Sequence, residues 1–415
     1  MQEKNISKFN FEQCQKCSVC NTVCPMLAVN ENYPGPKQAG PDGERYRLKN
    51  PEFYDYALKY CLNCKRCEVA CPSGVRIADI IASAKLDYGK KSRPLRDWTL
   101  ANTDLVGTMA SAFAPVANPV LGLKPVKAAM HGLIGVDKHR QFPAYSGQKF
   151  ETWFRRKAEA SQAGYSRFVS FFHGCYANYN YPQLGKDFVA VMNACGYGVR
   201  LLEKEKCCGV ALISNGFGGQ AAAQGRVNMD SMRKALADGS EAVLTVSSTC
   251  TLTMRDEYPH LLGIGNAGVR DSLMLAVKFL WEKVEAGEVK LAFREDFKGR
   301  YAYHTACHMQ KLGWPVYTLR LLRLIPGLEL SVLEQECCGI SGTFGFKKEN
   351  YEYSQKIGSK LFALIAESGA EKVVTECETC KWQIEMSTGT PVVNPVSLLA
   401  EALDLEKTAA LNNGR

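Results

Sequence analysis

The chain has 415 residues, 46% of them hydrophobic and 22% charged, with 18 cysteines and a formal net charge of +9. That balance is ordinary for folded globular domains and the length allows two or three cores, which excludes a disordered, fibrous or wholly membrane-embedded chain. The charge counts every cysteine as neutral, whereas thiolates would bring the balance closer to zero, so the basic balance is no sign of a nucleic-acid partner and none is expected.

Met1 to Phe11 offers no apolar core for a secretory leader. Cysteine usage this high then points to thiolates kept reduced for metal in a reducing, cytoplasmic compartment rather than to extracellular disulfides. The first cysteines form the string Cys14-x2-Cys17-x2-Cys20-x3-Cys24-Pro25, which returns as Cys61-x2-Cys64-x2-Cys67-x3-Cys71-Pro72. Three cysteines at two-residue gaps lie on one tight loop and clasp three irons of a cubane, while the fourth, before proline, serves the neighbouring cluster. Cys14, Cys17 and Cys20 are therefore expected to share a [4Fe–4S] cluster with Cys71, and Cys61, Cys64 and Cys67 to share a second with Cys24. A structural zinc scaffold is the alternative of another class; zinc sites, however, usually come as two separated Cys-x2-Cys pairs. Residues 1–100 are read as a ferredoxin-like, mainly helical electron-transfer module with two clusters.

Leu105 to Leu123 is nineteen residues without a charge, broken by Gly107, Pro115, Asn118, Pro119 and Gly122. It is too interrupted to span a bilayer, and reads either as an interfacial or subunit-docking segment or as a buried interdomain loop. A basic stretch follows, with Lys124, Lys127, Lys138, Arg140, Lys149, Arg155, Arg156 and Lys157, and suits an anionic partner or lipid face. Residues 101–164 are assigned to this linker or docking segment.

The remainder is an internal duplication. Phe168 to Thr253 and Tyr301 to Gln383 each run as strand, helix, strand, helix, strand, with cysteines after the strands. The first copy carries Cys175, Cys207-Cys208-Gly209 and Cys250; the second carries Cys307, Cys337-Cys338-Gly339 and Cys377-x2-Cys380. Strands are expected at Phe168–Phe172, Val199–Leu202 and Val243–Val246, and helices at Leu184–Ala194 and Gln220–Leu236. Such alternation implies parallel sheets, whose carboxyl edges would gather each copy's cysteines into one pocket. Each cysteine would precede a helix N-terminus that favours its thiolate. The fold class is thus α+β multidomain: the helical two-cluster module, then two α/β parallel-sheet repeats at 165–290 and 291–403, and a tail at 404–415.

These cysteine patterns resemble the cysteine-rich CCG domain of heterodisulfide reductase, in which five cysteines hold a non-cubane four-iron cluster. The second copy matches at Cys307, Cys337, Cys338, Cys377 and Cys380. The first departs, with Ser247 where Cys377 stands, so Cys175, Cys207, Cys208 and Cys250 remain for zinc, an altered cluster or nothing. The segments Tyr33 to Arg45 (YPGPKQAGPDGER), Tyr60 to Ile80, Phe172 to Cys175 (FHGC), Cys337 to Asn350 and Cys377 to Met386 resemble the C-subunit family of anaerobic glycerol-3-phosphate dehydrogenase, from about Phe11 to about Leu403. That resemblance implies a heterotrimer in anaerobic respiration: two flavin-containing subunits oxidise glycerol 3-phosphate, and this chain attaches them peripherally to the cytoplasmic face of the inner membrane and passes electrons to menaquinone. It implies no flavin, substrate or catalytic residue on this chain. The nearer alternative is the iron–sulfur subunit of another CCG-type oxidoreductase, of glycolate, lactate or heterodisulfide chemistry.

Three smaller features complete the reading. Gly216-x-Gly218-x2-Ala221 is taken as a helix start of small residues rather than a dinucleotide fingerprint, because Cys207-Cys208 intervenes and the next strand ends at Ser247 instead of an acid. Cys195 belongs to neither cysteine set and reads as a small buried residue. His173, His304 and His308 flank the first cysteine of each copy; they could donate to cluster sulfur or relay a quinone proton, and a structural role is the simpler reading.

Overall fold

The computed structural model describes residues 9–50, 56–89 and 94–412, so Met1 to Lys8 and the last three residues of the tail lie outside the described residues. The duplication is explicit in the sheets. In the first repeat β1 (Arg167–Phe171), β2 (Tyr197–Leu201), β3 (Ser240–Thr245) and β4 (Leu273–Leu275) pair in the order β2-β1-β3-β4. In the second, β5 (Gly299–Tyr303), β6 (Leu328–Val332), β7 (Lys372–Val374) and β8 (Val392–Val393) take the matching order β6-β5-β7-β8. All six pairings are parallel. The fourth strand of each sheet was not expected, since runs of three and two residues carry too little alternation to register. The expected helices appear as Pro182–Ala194 and Gly218–Ala237.

The two repeats share one apolar core. Phe171 stacks on Phe188 with centroids 3.8 Å apart, and Phe150 and Phe154 close that layer from the helix Phe150–Lys157. The last helices, Pro395–Ala402 and Leu405–Asn412, cross back onto Pro182–Ala194 of the first repeat. There Asn412 donates to the carbonyls of Lys290 at 2.8 Å and Ala194 at 3.3 Å. The sheets meet at their carboxyl edges: Ser248 N–H donates to Glu376 O at 2.9 Å, and Asn394 Nδ2 to Val246 O at 2.9 Å.

The N-terminal module is built on the helix Ile77–Tyr88, whose Ile77, Ile80 and Ile81 are buried. Its core continues into Leu212, Ile213 and Leu261 of the first repeat and Phe344 and Ile357 of the second. Gly218 belongs to this seam, since a Cβ there would meet Leu86 at 3.2 Å. A buried ion network pins the joint. Lys65 sits between Asp79 and Glu257, at 3.2 Å from the latter, Asn63 donates to Glu257 at 2.7 Å, and Lys311 pairs with Glu68 at 2.8 Å.

Two expectations for residues 101–164 need correction. Leu105 to Leu123 is not a buried loop: the helices Thr103–Ala112 and Ala114–Gly122 meet at 107° and expose Leu105, Met109, Phe113, Val116, Val120 and Leu123. Among the described residues no single helix is long and apolar enough to cross a membrane; this bent pair passes by length and composition only when taken together. Nor do the basic residues form one face. Lys124 and Lys138 are exposed, but Arg140 is 1% exposed and packed into the second repeat, and Arg155 is paired with Glu151 at 3.0 Å.

Candidate metal centres

The two N-terminal strings fold into loops of the same form. Lys16 and Ser18 flank Cys17 with φ of 59° and 64°, and Asn63 and Lys65 flank Cys64 with φ of 54° and 62°. Non-glycine residues take this left-handed backbone only when held there, and successive turns of this kind aim peptide N–H groups at an anion. Four strained residues bracketing two cysteines are the local signature of a loop curled round a charged group. The spacing of the cysteines did not reveal it.

The fourth cysteine of each string lies near the loop of the other string. Cys20 is pushed up to about 11 by burial and by the sulfurs of Cys14, Cys71 and Cys17. Burial likewise pushes Cys24 up to about 12, with Cys64 and Cys61 as the sulfurs acting on it. Cys67 is raised by burial, by Glu68 and by Cys64, Cys61 and Cys24. The neighbourhoods are therefore Cys14, Cys17, Cys20 and Cys71 on one side and Cys61, Cys64, Cys67 and Cys24 on the other. Of the 18 cysteines only Cys17 is exposed.

The second repeat strings its five cysteines into one contact chain. Cys307 hydrogen-bonds Cys337, which touches Cys338; Cys338 Sγ lies 3.3 Å from Cys380 Sγ, and Cys380 bonds Cys377. Cys307 also reaches out of the repeat to Cys64 of the N-terminal module. The glycine of Cys337-Cys338-Gly339 is required at φ +85°, where a Cβ would meet Ser354 O at 2.0 Å. His304 is fully buried behind this set, with neither ring nitrogen hydrogen-bonded, and burial lowers it to about 4. An orphaned buried imidazole beside five soft thiol donors fits a sulfur-ligated group with further acceptor atoms, such as an iron–sulfur cluster. Among the described residues no trio of His, Cys, Asp or Glu side chains is gathered round a single ion.

In the first repeat Cys175 Sγ lies 4.0 Å from Cys207 Sγ, and Cys207, Cys208 and Cys250 follow in contact. Ser247 is turned to another use. Its hydroxyl donates to Glu378 Oε2 at 2.9 Å across the repeat boundary and accepts from Cys250 N–H at 3.3 Å. The next residues bridge the two sets: Thr249 Oγ1 is 3.7 Å from Cys377 Sγ and 3.2 Å from His308 Nδ1. His308 Nε2 faces Asn63 O at 3.3 Å, and His173 pairs with Glu205 at 3.0 Å, so both have protein partners. Cys195 is buried and unpaired, pushed up to about 12 by burial alone.

Helix N-termini are expected to favour thiolate at the repeat cysteines, and hydrogen bonds between the sulfurs act on the same groups. Cys377, at the start of the helix Glu378–Thr388, is held down to about 5, first by the hydrogen bond from Cys380. Cys207 and Cys337 are lowered by hydrogen bonds from their neighbours, while Cys175, Cys208, Cys307, Cys338 and Cys380 are raised as the donating thiols. The bond from Cys208 acts most on Cys250 and lowers it, but burial together with the charges of Glu378 and Cys207 leaves it raised.

Comparison with known proteins agrees with this layout. Residues 10–75 match a 4Fe-4S dicluster domain, and residues 169–255 and 301–385 each match a cysteine-rich CCG domain. The C-subunit of anaerobic glycerol-3-phosphate dehydrogenase from Escherichia coli (strain K12) is 54% identical over 394 residues, 95% of this chain and 99% of that protein. The glycolate oxidase iron-sulfur subunit of the same strain is 26% identical, covering 95% of this chain and 94% of that one. The B-subunit of fumarate reductase (CoM/CoB) from Methanothermobacter marburgensis is 23% identical, covering 90% and 67%.

Proposed function

The chain belongs to the C-subunit family of anaerobic glycerol-3-phosphate dehydrogenase, and from that premise we propose that it is the iron–sulfur subunit that carries electrons from flavin-containing partner subunits to a membrane quinone, menaquinone. Bound iron–sulfur clusters supply one-electron carriers that need no general acid or base. The chain's own residues hold them, order them and keep them dry. Cys14, Cys17, Cys20 and Cys71 would hold one cubane and Cys61, Cys64, Cys67 and Cys24 the other. Cys307, Cys337, Cys338, Cys377 and Cys380 would hold a non-cubane cluster. In the first repeat Cys175, Cys207, Cys208 and Cys250 would be the donors for any further metal or cluster, with Ser247 withdrawn from the donor set by Glu378.

The observation that carries this reading is the hydrogen bond between Cys64 and Cys307, which puts cysteines of the N-terminal module and the second repeat side by side. Exposed Cys17 supports the cubane of Cys14, Cys17, Cys20 and Cys71 as the point of entry for a partner's electrons. The exposed apolar elbow around Phe113, flanked by Lys124 and Lys138, supports peripheral attachment to anionic lipid at the cytoplasmic face of the membrane. The 54% identity over nearly the whole chain favours glycerol 3-phosphate as the complex's substrate over the glycolate of the 26% relative.

Reconstitution with the flavin subunits tests the function. Replacing Cys337 or Cys338 by Ala is expected to abolish quinone reduction while glycerol 3-phosphate still reduces the flavin; full quinone reduction in either variant contradicts the role given to the second repeat.

A further inference from the structure

Arg140 is among the largest fully buried side chains of the protein, 1% exposed, yet it lies in a stretch whose sequence suggested an outward basic face. It leaves the backbone just after Val136, which bridges to Lys347, and its guanidinium enters the second repeat, bonding the loop after Cys337-Cys338 and the helix that carries Cys380. Nε donates to Gly345 O in the loop that begins at Cys337, and Nη2 donates to Ser354 Oγ at 2.7 Å on the helix Tyr351–Ser368. Nη1 donates to Gln383 Oε1, on the helical face one turn beyond Cys380. The Tyr351 and Phe346 rings lie 4.9 and 5.6 Å from the guanidinium carbon.

Every one of these partners is neutral. Among the described residues no carboxylate comes within ion-pair distance of Arg140; the adjacent Asp137 is engaged with His139 at 2.9 Å and His131 at 3.5 Å. A buried cation without a counter-ion is costly in a low-dielectric interior, and a fold keeps one where an opposite charge is brought to it. Burial works against the charge of Arg140, and the groups that favour it are Tyr351, then Asp137, then Cys338. We propose that Arg140 is the buried counter-charge of the second cysteine set, a positioning residue that raises the reduction potential of the centre held by Cys307, Cys337, Cys338, Cys377 and Cys380. This rests on the reading that those five cysteines hold an iron–sulfur cluster. When the centre takes one electron, it gains one negative charge and no bond is broken, so a fixed positive charge beside it favours the reduced state.

The test is a mediated dithionite titration of the anaerobically purified, cluster-loaded full chain, followed by electron paramagnetic resonance. Arg140→Met is expected to weaken reduction of the second-repeat centre at least tenfold, about 59 mV for a one-electron couple, and Arg140→Lys to recover most of that shift. The N-terminal centres should not move in either variant, which separates a charge effect from general loosening. Gln383→Glu keeps the guanidinium but pairs it, and is expected to shift the same centre in the same direction. It alone decides the matter if Arg140→Met loses the signal. Midpoints equal to wild type in both Arg140→Met and Gln383→Glu overturn the inference. A wild-type chain with no second-repeat signal overturns the cofactor reading and this inference with it.

Discussion

Glu257, fully buried, faces Lys65 with Asp79 behind it, and these three side chains join a loop of the N-terminal module to the first repeat. Burial opposes ionisation of Glu257, but Lys65, His308 and the Asn63 amide outweigh it and hold the carboxyl below its ordinary 4.5. A carboxylate depressed in the folded state contributes stability that is complete above the unfolded value and is lost as pH falls through the folded one. The Glu257 contribution to docking should therefore fall below about pH 4.5 in wild type, and Glu257→Gln should lack that contribution in a denaturant series run against pH. Glu257→Ala leaves Lys65 with less compensation and should cost about 3–5 kcal/mol, read by chemical unfolding of the loaded protein. The cysteine strings were legible because the ligands of a loop are close in sequence. Glu257 was not, because its partner is 192 positions away and a lone acid in a helical stretch looks like any other. Ser247 was legible as a departure from the pattern, although its use as a donor to Glu378 depends on how the two sheets abut.

The element that most changes meaning between sequence and structure is the helix pair Thr103–Ala112 and Ala114–Gly122. Its uncharged run and its breaks were plain; the direction in which the apolar side chains point was not, because proline and glycine interrupt the periodicity that would assign a face. The inner side is fixed by close approach. A Cβ on Gly107 would meet the Tyr179 ring at 2.6 Å, and Thr108 Oγ1 donates to Tyr179 Oη at 3.3 Å. Gly107→Leu should pry the first helix from the first repeat at a cost of about 1–3 kcal/mol, seen as faster amide exchange across residues 103–112 with little change in the sheets. The outer side carries Met109, Phe113 and Val116, each more than half exposed. Phe113→Asp should reduce sedimentation of the full chain with anionic liposomes, as should removal of the charges at Lys124, Lys127 and Lys138; unchanged binding in both would place the elbow against a protein partner. Arg140 has no part in that test because it faces inward. The two added edge strands escaped the sequence for a simpler reason, being too short to carry a pattern, yet they complete each sheet over which the cysteine loops are hung.

Over the whole molecule the duplication, the parallel sheets and the separate N-terminal module follow from motif spacing and alternation alone. The order of the cysteine sets does not. It is made by tertiary contacts: Cys64 against Cys307, then Thr249 beside Cys377, then Cys250 and its neighbours in the first repeat. The sets thus follow one another in contact from exposed Cys17 to the first repeat, against which the apolar elbow packs, with the two sheets meeting at their carboxyl edges as the frame. Cys307 is the junction of that series. The most direct test is a dithionite-reduced electron paramagnetic resonance spectrum of anaerobically purified Cys307→Ala beside wild type, with iron determined on both. The expected result is a wild type with about four irons in each N-terminal cubane and a distinct additional signal, and a variant that keeps the cubane signals and loses the additional one. A colourless, zinc-loaded wild type, or a Cys307→Ala spectrum indistinguishable from wild type, would contradict it.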